Sequence, residues 1–226
     1  MAKKVDLLRD TPLYSQAEAS LYLNIPRSTL RYWAFGDKRD AHKALPVVMV
    51  PSHSNQLSFF NLVELHVLNS IRKDFNIVLP DVRRALKYIE RELGISRPLL
   101  NQEFETDGVS LFVKKYGELI NVTYDGQYVM EDILKDSLTR IKRDAKKIPI
   151  KLFPYTRSDQ GNSPRVICMT PSLFSGRPVI DGTGISTAVI ADRYKAGDSV
   201  KAIAKDFKQD TNVIEEAIRC ELQKAA

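Results

Sequence analysis

Residues 15–33 read SQAEASLYLNIPRSTLRYW, and the fold follows from how this stretch divides. Ser15 is a good N-cap for a short helix in which Ala19, Tyr22 and Leu23 recur at helical spacing. Asn24-Ile25-Pro26 breaks that helix, and Ser28 is placed to cap a second one over 29–35. Ser20 is small where two such helices would cross, Ile25 is apolar in the turn, and Leu30 and Trp33 fall on the inward side. Arg27, Ser28, Thr29 and Arg31 then face out. Spacing alone fits any small helical hairpin. Read as a helix-turn-helix, the same residues would put a helix N-terminus into a DNA major groove, where amides and hydroxyls meet phosphate and arginine pairs with guanine.

The flanking sequence extends the pattern. Residues 47–50 (VVMV) and 57–59 (LSF) read as strands joined by the polar turn 51–55, which makes a two-stranded wing. Asn61 is expected to cap a helix with Leu62, Leu65, His66 and Leu68 or Asn69 along one face, and Pro80 opens another over 81–93, ended by Gly94. Residues 12–93 as a whole resemble the winged-helix DNA-binding domain of the MerR family. TLRYW at 29–33 stands where that family ends its recognition helix, and Phe59-Phe60-Asn61-Leu62 stands where an aromatic and a DL-like pair open the next one. Asn76 replaces the usual glycine, and the 36–46 loop is long for the family. The resemblance implies duplex DNA as partner, with Arg27, Ser28, Thr29, Arg31 and Tyr32 on the recognition helix and Lys43, His53 and Asn55 in the loop and wing as its contacts. Tyr32 serves equally as a packing aromatic.

Further along, residues 109–113 and 119–124 are strand-like and flank 114–118, where Gly117 suits a hairpin turn. A helix is expected over 130–146. The polar, turn-rich stretch 154–164 reads as a linker. Beyond it come a short strand at 166–169, tight Gly and Pro punctuation, and helices at 186–196, 200–207 and 212–222. The expected fold class is mainly α with short β-hairpins (α+β): a MerR-like winged helix over 1–95, a hairpin-helix connecting region over 96–153, and a trihelical domain over 165–226.

That last region carries a second motif, SLFSGRPVIDGTGISTAVIADRYKAGDSVKAIAKDFKQDTNVIEEAI. It resembles a small bacterial domain that recurs as the antitoxin partner of PIN-like ribonuclease toxins, with hallmarks GxPVIxGTxI, YxAGxSxxxIAxDF and EExAI. Gly184 stands where that family commonly carries Arg. Ile203, Ala204, Phe207, Val213, Ala217 and Ile218 form the core pattern of another helix-turn-helix. Its nearly balanced charge, 9 basic against 8 acidic residues over 165–226, favours dimerisation or docking over groove reading. A MerR-like reader joined to this domain resembles the VapB-type antitoxins. The implied partners are operator DNA, a PIN-like ribonuclease toxin and a second copy, with 130–146 and 212–222 as candidate dimer helices. A PIN-like site is a cluster of metal-binding carboxylates, so an inhibitor gains from presenting a cation. Arg165, Arg177 and Arg193 are the candidates, Arg177 foremost because GRPVI gives it a rigid setting; an ordinary solvated arginine is the alternative for it.

Composition fits this reading. The chain has 226 residues, is 43% hydrophobic and 27% charged, and has a net charge of +6. Residues 1–95 hold 14 basic against 10 acidic side chains, so most of the excess lies with the candidate DNA reader. The start MAKKVDLLRD has no apolar signal region, and a cytoplasmic chain is expected. Cys168 and Cys220 lie 52 positions apart without metal-ligand spacing, so no disulfide, metal or cofactor is expected. No catalytic residue is expected either. His42, His53 and His66 fall in no catalytic pattern, His66 on an apolar helix face, and Asp181 in its Gly-rich turn fits an Asx-turn. The function expected is that of a type II antitoxin that also represses its own operon; the alternative is a free-standing dimeric MerR-like regulator without a toxin partner.

Overall fold

The computed structural model describes residues 8–36, 46–48, 50, 54–72, 74–75, 78–157 and 159–222. Lys43, His42, His53, Asn76 and most of the expected 51–55 turn lie outside them. The chain is mainly helical, with three short antiparallel strand pairs among the described residues.

Strand β1 (Pro12–Tyr14) leads into α1 (Gln16–Leu23) and α2 (Arg27–Phe35). Ser15 caps α1 as expected, and does so reciprocally: Glu18 N donates to Ser15 Oγ, while Ser15 N donates to Glu18 Oε2 at 2.9 Å. Asn24 ends α1 in the left-handed region at φ 51°, and Ile25 is buried in the turn. Ser28 does not cap α2. That helix begins at Arg27, with Pro26 at the cap position and no side-chain bond to the first turn, because the proline's fixed φ already sets the helical entry.

The expected wing is corrected. Strand β2 (Leu57–Ser58) pairs with β1 in the register Pro12↔Ser58 and Tyr14↔Leu57, and residues 47, 48 and 50 carry no strand. Phe59 belongs to helix α3 (Phe59–Ser70), whose cap is Ser58 rather than Asn61. Asn61 sits at the third helical position and accepts from Ser58 N at 3.1 Å, so the strand has to end where the capping box begins. Helix α4 (Leu79–Leu93) carries Pro80 in its first turn and stops at Gly94, φ 64°.

The middle region departs most from expectation. Instead of a hairpin, residues 109–119 form α5 (Val109–Leu119), because Val109, Phe112, Val113 and Tyr116 repeat at helical spacing and all are buried. Gly117 lies inside this helix. A Cβ there would come within 2.8 Å of Gln127 Cγ on α6 (Tyr124–Thr139), so this glycine permits close helix packing and makes no turn. Helix α6 starts at the Thr123 cap and ends before 140. The region's hairpin follows it, as β3 (Ile141–Arg143) against β4 (Pro149–Leu152).

The C-terminal strand β5 (Ile167–Cys168) and helices α7 (Thr187–Lys195), α8 (Val200–Phe207) and α9 (Thr211–Leu222) agree with expectation, while β6 (Val179–Ile180), which pairs with β5, is not an expected element. Ser199 caps α8. The polar stretch 154–164 is packed, with Tyr155, Thr156 and Ser163 buried. One hydrophobic cluster runs from Tyr14 through to Cys220. Burial raises the thiols of both cysteines, Cys168 to about 12.

His66 is a core residue. Its ring stacks on Tyr155 at 5.0 Å, its Nε2 lies 3.3 Å from the Ser137 carbonyl, and burial pushes its pKa down to about 3. The unfolded chain takes up this proton near 6.5 and the folded chain only near 3. His66 therefore costs the fold increasing stability as pH falls from 6.5 towards 3, about 3 kcal/mol at pH 4. Urea unfolding at pH 7 and pH 4 should show a His66→Leu variant losing less stability over this interval than the parent; equal losses would contradict the assignment.

Candidate functional site

On α2, Leu30 and Trp33 are buried against the cluster, while Arg27, Ser28, Arg31 and Tyr32 are exposed and Thr29 is half-buried. The inward assignment holds for Leu30 and Trp33 and the outward one for Arg27, Ser28 and Arg31, while Thr29, expected to face out, is half-buried. The turn that aims the helix is fixed from three sides. Ser20 Oγ donates to the Ile25 carbonyl at 2.6 Å, Ile25 N returns to the Ser20 carbonyl at 3.1 Å, and Asn69 Nδ2 of α3 donates to the Leu23 carbonyl at 2.9 Å. At the other end of α2, Val47 N donates to the Trp33 carbonyl at 2.9 Å.

The result is a short helix with a buried back, an outward row of two guanidiniums and a phenol, and a first turn without a side-chain cap. Amides of that kind bind anions, and the arginines add charge and bidentate geometry. Asn55 is exposed but sits by the start of α1, where its carbonyl faces Gln16 Nε2 at 3.5 Å. Lys43 and His53 lie outside the described residues.

The three candidate arginines of the C-terminal region all have intramolecular partners. Arg165 Nη2 meets Thr139 Oγ1 at 2.5 Å, and Arg193 lies between Asp198 and Asp206 at 2.6 and 2.8 Å. Arg177 Nη2 reaches Glu18 Oε1 at 2.8 Å, which ties the GRPVI segment to the capping box of α1. Immediately before it, Phe174, Ser175 and Gly176 take consecutive positive φ values of 46°, 52° and 80°. The turn they make presents Leu173 and Phe174 to solvent and its backbone to Tyr14, whose hydroxyl donates to the Gly176 carbonyl at 3.0 Å. A Cβ at Gly176 would lie 2.0 Å from that hydroxyl oxygen. Beyond it, Thr187 closes the hallmark loop onto the Pro178 carbonyl, and Asp181 pairs with Lys151 at 2.5 Å instead of standing free. Gly184 is exposed with open space around it.

Sequence reasoning missed the role of the second hallmark glutamate, Glu216. Buried on α9, it accepts from Thr156 Oγ1 at 2.5 Å and Arg157 Nε at 2.7 Å, and so fixes the 154–164 stretch. No spacing rule links those residues, so no local signal could have found it. Among the described residues no group of three or more metal-ligating side chains converges, and no helix is long and apolar enough to cross a membrane.

Two families match parts of the chain. A family described as "Putative DNA-binding HTH domain" matches residues 12–86, and one described as "Protein of unknown function (DUF433)" matches residues 167–219. The chain is 28% identical to "Putative antitoxin VapB45" of Mycobacterium tuberculosis, over 96% of each protein. It is 21% identical to "Uncharacterized protein Rv2308" of the same organism, over 95% of this chain and 92% of that one. The crystal structure of Rv2018 from Mycobacterium tuberculosis shares the fold, with a TM-score of 0.66 at 24% identity over 92% of this chain and 98% of that one.

The Tyr14–Gly176 contact yields a stability test. Tyr14→Phe should cost about 1–2 kcal/mol by leaving a buried carbonyl unpaired. Gly176→Ala should cost more, since it adds a clash to a left-handed backbone. In urea unfolding the double variant should lose less than the sum of the two, because removing the hydroxyl makes room for the methyl. Strict additivity would show that the two residues act independently.

Proposed function

We propose that this protein is a DNA-binding antitoxin: it reads an operator through α2 and neutralises a PIN-like ribonuclease through residues 165–226. The observation that carries the DNA half is the helix α2 itself, with Leu30 and Trp33 buried and Arg27, Ser28, Arg31 and Tyr32 exposed along its outer side. The likeness to a relative named as an antitoxin along nearly the whole length of both chains supports the toxin half. In this reading Arg31 pairs with a base edge, Arg27 and the free amides of the first turn hold a phosphate, and Tyr32 packs on the sugar-phosphate backbone. One such helix covers a single half-site, so two copies bind a pseudo-palindrome.

Toxin docking is assigned to the turn that carries Leu173, Phe174 and Arg177. Phe174 is 53% exposed, an apolar anchor beside a half-exposed cation. Arg177 would exchange Glu18 for a carboxylate of the ribonuclease, whose metal-binding acids are the natural target for a guanidinium.

Two measurements test the two halves separately. In gel shifts Arg31→Ala should weaken operator binding by about 1–3 kcal/mol and relax the preference at one base position. Specific binding by a chain lacking α2 would refute the assignment. In cells expressing the toxin, the full chain should restore growth and a chain ending at residue 164 should not. Rescue by the shortened chain would place the toxin elsewhere, and failure of the full chain to co-purify with any neighbouring nuclease would favour a free-standing regulator.

A further inference from the structure

Helices α4, α5 and α6 pack side by side, with α5 in the middle. The outward side of α5 is a narrow ridge: Ser110, Lys114 and Glu118 border α6, while Lys115 and Leu119 border α4. A groove runs along each flank of this ridge, so both grooves open on the same face. The α4 groove, about 650 Å³, is basic: Arg84, Lys87, Arg91 and Lys115 line it against the single carboxylate of Glu90. Arg84 is held by Asp81, and Lys115 lies 3.6 Å from Glu118. Lys87 and Arg91 have no ion-pair partner among the described residues.

The other flank has the opposite character. Helix α6 carries Asp125, Glu131, Asp132 and Asp136 against the one cation Lys135. Its outer side also shows Tyr124, Tyr128 and Val129, at 72%, 58% and 52% exposure. The two tyrosine rings meet edge to face at 5.2 Å, forming a pre-assembled aromatic pair. Two exposed aromatics beside an exposed valine, with a charged rim, are the composition of an interface core, and such contiguous apolar exposure marks an interaction site.

The geometry points to this three-helix face as a two-fold interface between copies of the chain. A face that is basic on one flank and acidic-aromatic on the other is complementary to itself about an axis through its middle, which here is α5. In the pair, Tyr124 and Tyr128 of one copy enter the basic α4 groove of the other, where Lys87 and Arg91 meet their ring faces. Asp125 and Asp132 pair with those same cations from the rim, and every contact occurs twice. Three helices about 20 Å long at spacings near 10 Å give a patch of the order of 500 Å² per copy in projection, about 1,000 Å² over the pair, which meets the minimum for a specific interface. This rests on the two-copy reading above and identifies the surface that joins the copies.

Charge reversal tests it in the full chain. Lys87→Glu with Arg91→Glu makes both flanks acidic; Asp125→Lys with Asp132→Lys makes both basic. Sedimentation at micromolar concentration should show the parent as a dimer and each reversed chain as a monomer, weakened at least about tenfold. An equimolar mixture of the two reversed chains should dimerise again, because each then offers the other its missing sign, and this recovery excludes misfolding as the cause. A parent dimer with reversed chains that also dimerise, or a mixture that stays monomeric, would overturn the interface alone. A monomeric parent would overturn the interface and the two-copy reading together. Loss of DNA affinity by the Lys87→Glu, Arg91→Glu chain while its dimer persists would reassign the basic groove to nucleic acid.

Discussion

The start of α1 is the constraint on which the arrangement depends. Within seven residues the chain forms a strand with β2, ends it at Tyr14, caps α1 through Ser15 and Glu18, and receives the C-terminal region. Tyr14 is buried and its hydroxyl spends its bond on the Gly176 carbonyl, 162 residues away; burial raises that phenol well above its ordinary range, so it stays a donor. Glu18 is shared between Ser15 and Arg177, and these hydrogen bonds together with the guanidinium outweigh its partial burial and lower its pKa. Helix α9 also packs on α1. The N-terminal region proposed to read DNA and the C-terminal region thus meet through the residues that begin α1.

Elsewhere the fold is fixed by buried polar groups satisfied in networks. Glu64 is buried on α3, where Arg97 reaches it at 2.8 Å and Asn61 donates to it at 3.2 Å; Arg97 also meets Asp10, 3.0 Å away. Burial raises Glu64 even so. Removing one member of such a set leaves a charge stranded out of water, so the network specifies the position of 97–100 against α3 more than it stabilises it. Glu216, Thr156, Ser163 and Arg140 do the same for the 154–164 stretch, with the Arg140 guanidinium lying 4.2 Å over the Tyr155 ring.

These networks also explain what could be read from the sequence. The 15–33 stretch was legible because its information is local: a capping residue, a breaker and apolar positions at helical spacing. The same holds for Gly94 and the three C-terminal helices. Residues 109–124 were not legible, because VSLFV is a short apolar run that satisfies both periods, and the deciding stripe of Val109, Phe112, Val113 and Tyr116 is completed only three residues later. Leu57–Ser58 was recognisable as a strand, but its partner lies more than forty residues upstream, and pairing over that distance leaves no local trace. Of the candidate site, the outward residues of α2 were visible from spacing. The intramolecular partners of Arg165, Arg177 and Arg193 were not, since every one except those of Arg193 lies at least 26 positions away.

The shared Glu18 bounds how strongly the two proposed activities can influence each other. Arg177 is half-exposed and its partner about a quarter exposed, so their ion pair is worth only about 1 kcal/mol or less. A toxin that drew Arg177 away would release Glu18 to its capping role, a change of at most about fivefold in any equilibrium of the reader. The Tyr14 bond is a different matter. It is buried, and the Gly176 backbone cannot move away from it without also shifting the strained turn that presents Phe174. Coupling between toxin and DNA larger than a few-fold therefore needs the buried contacts, the Gly176 backbone on Tyr14 and the packing of α9 on α1, and the charged pair beside them serves orientation rather than switching.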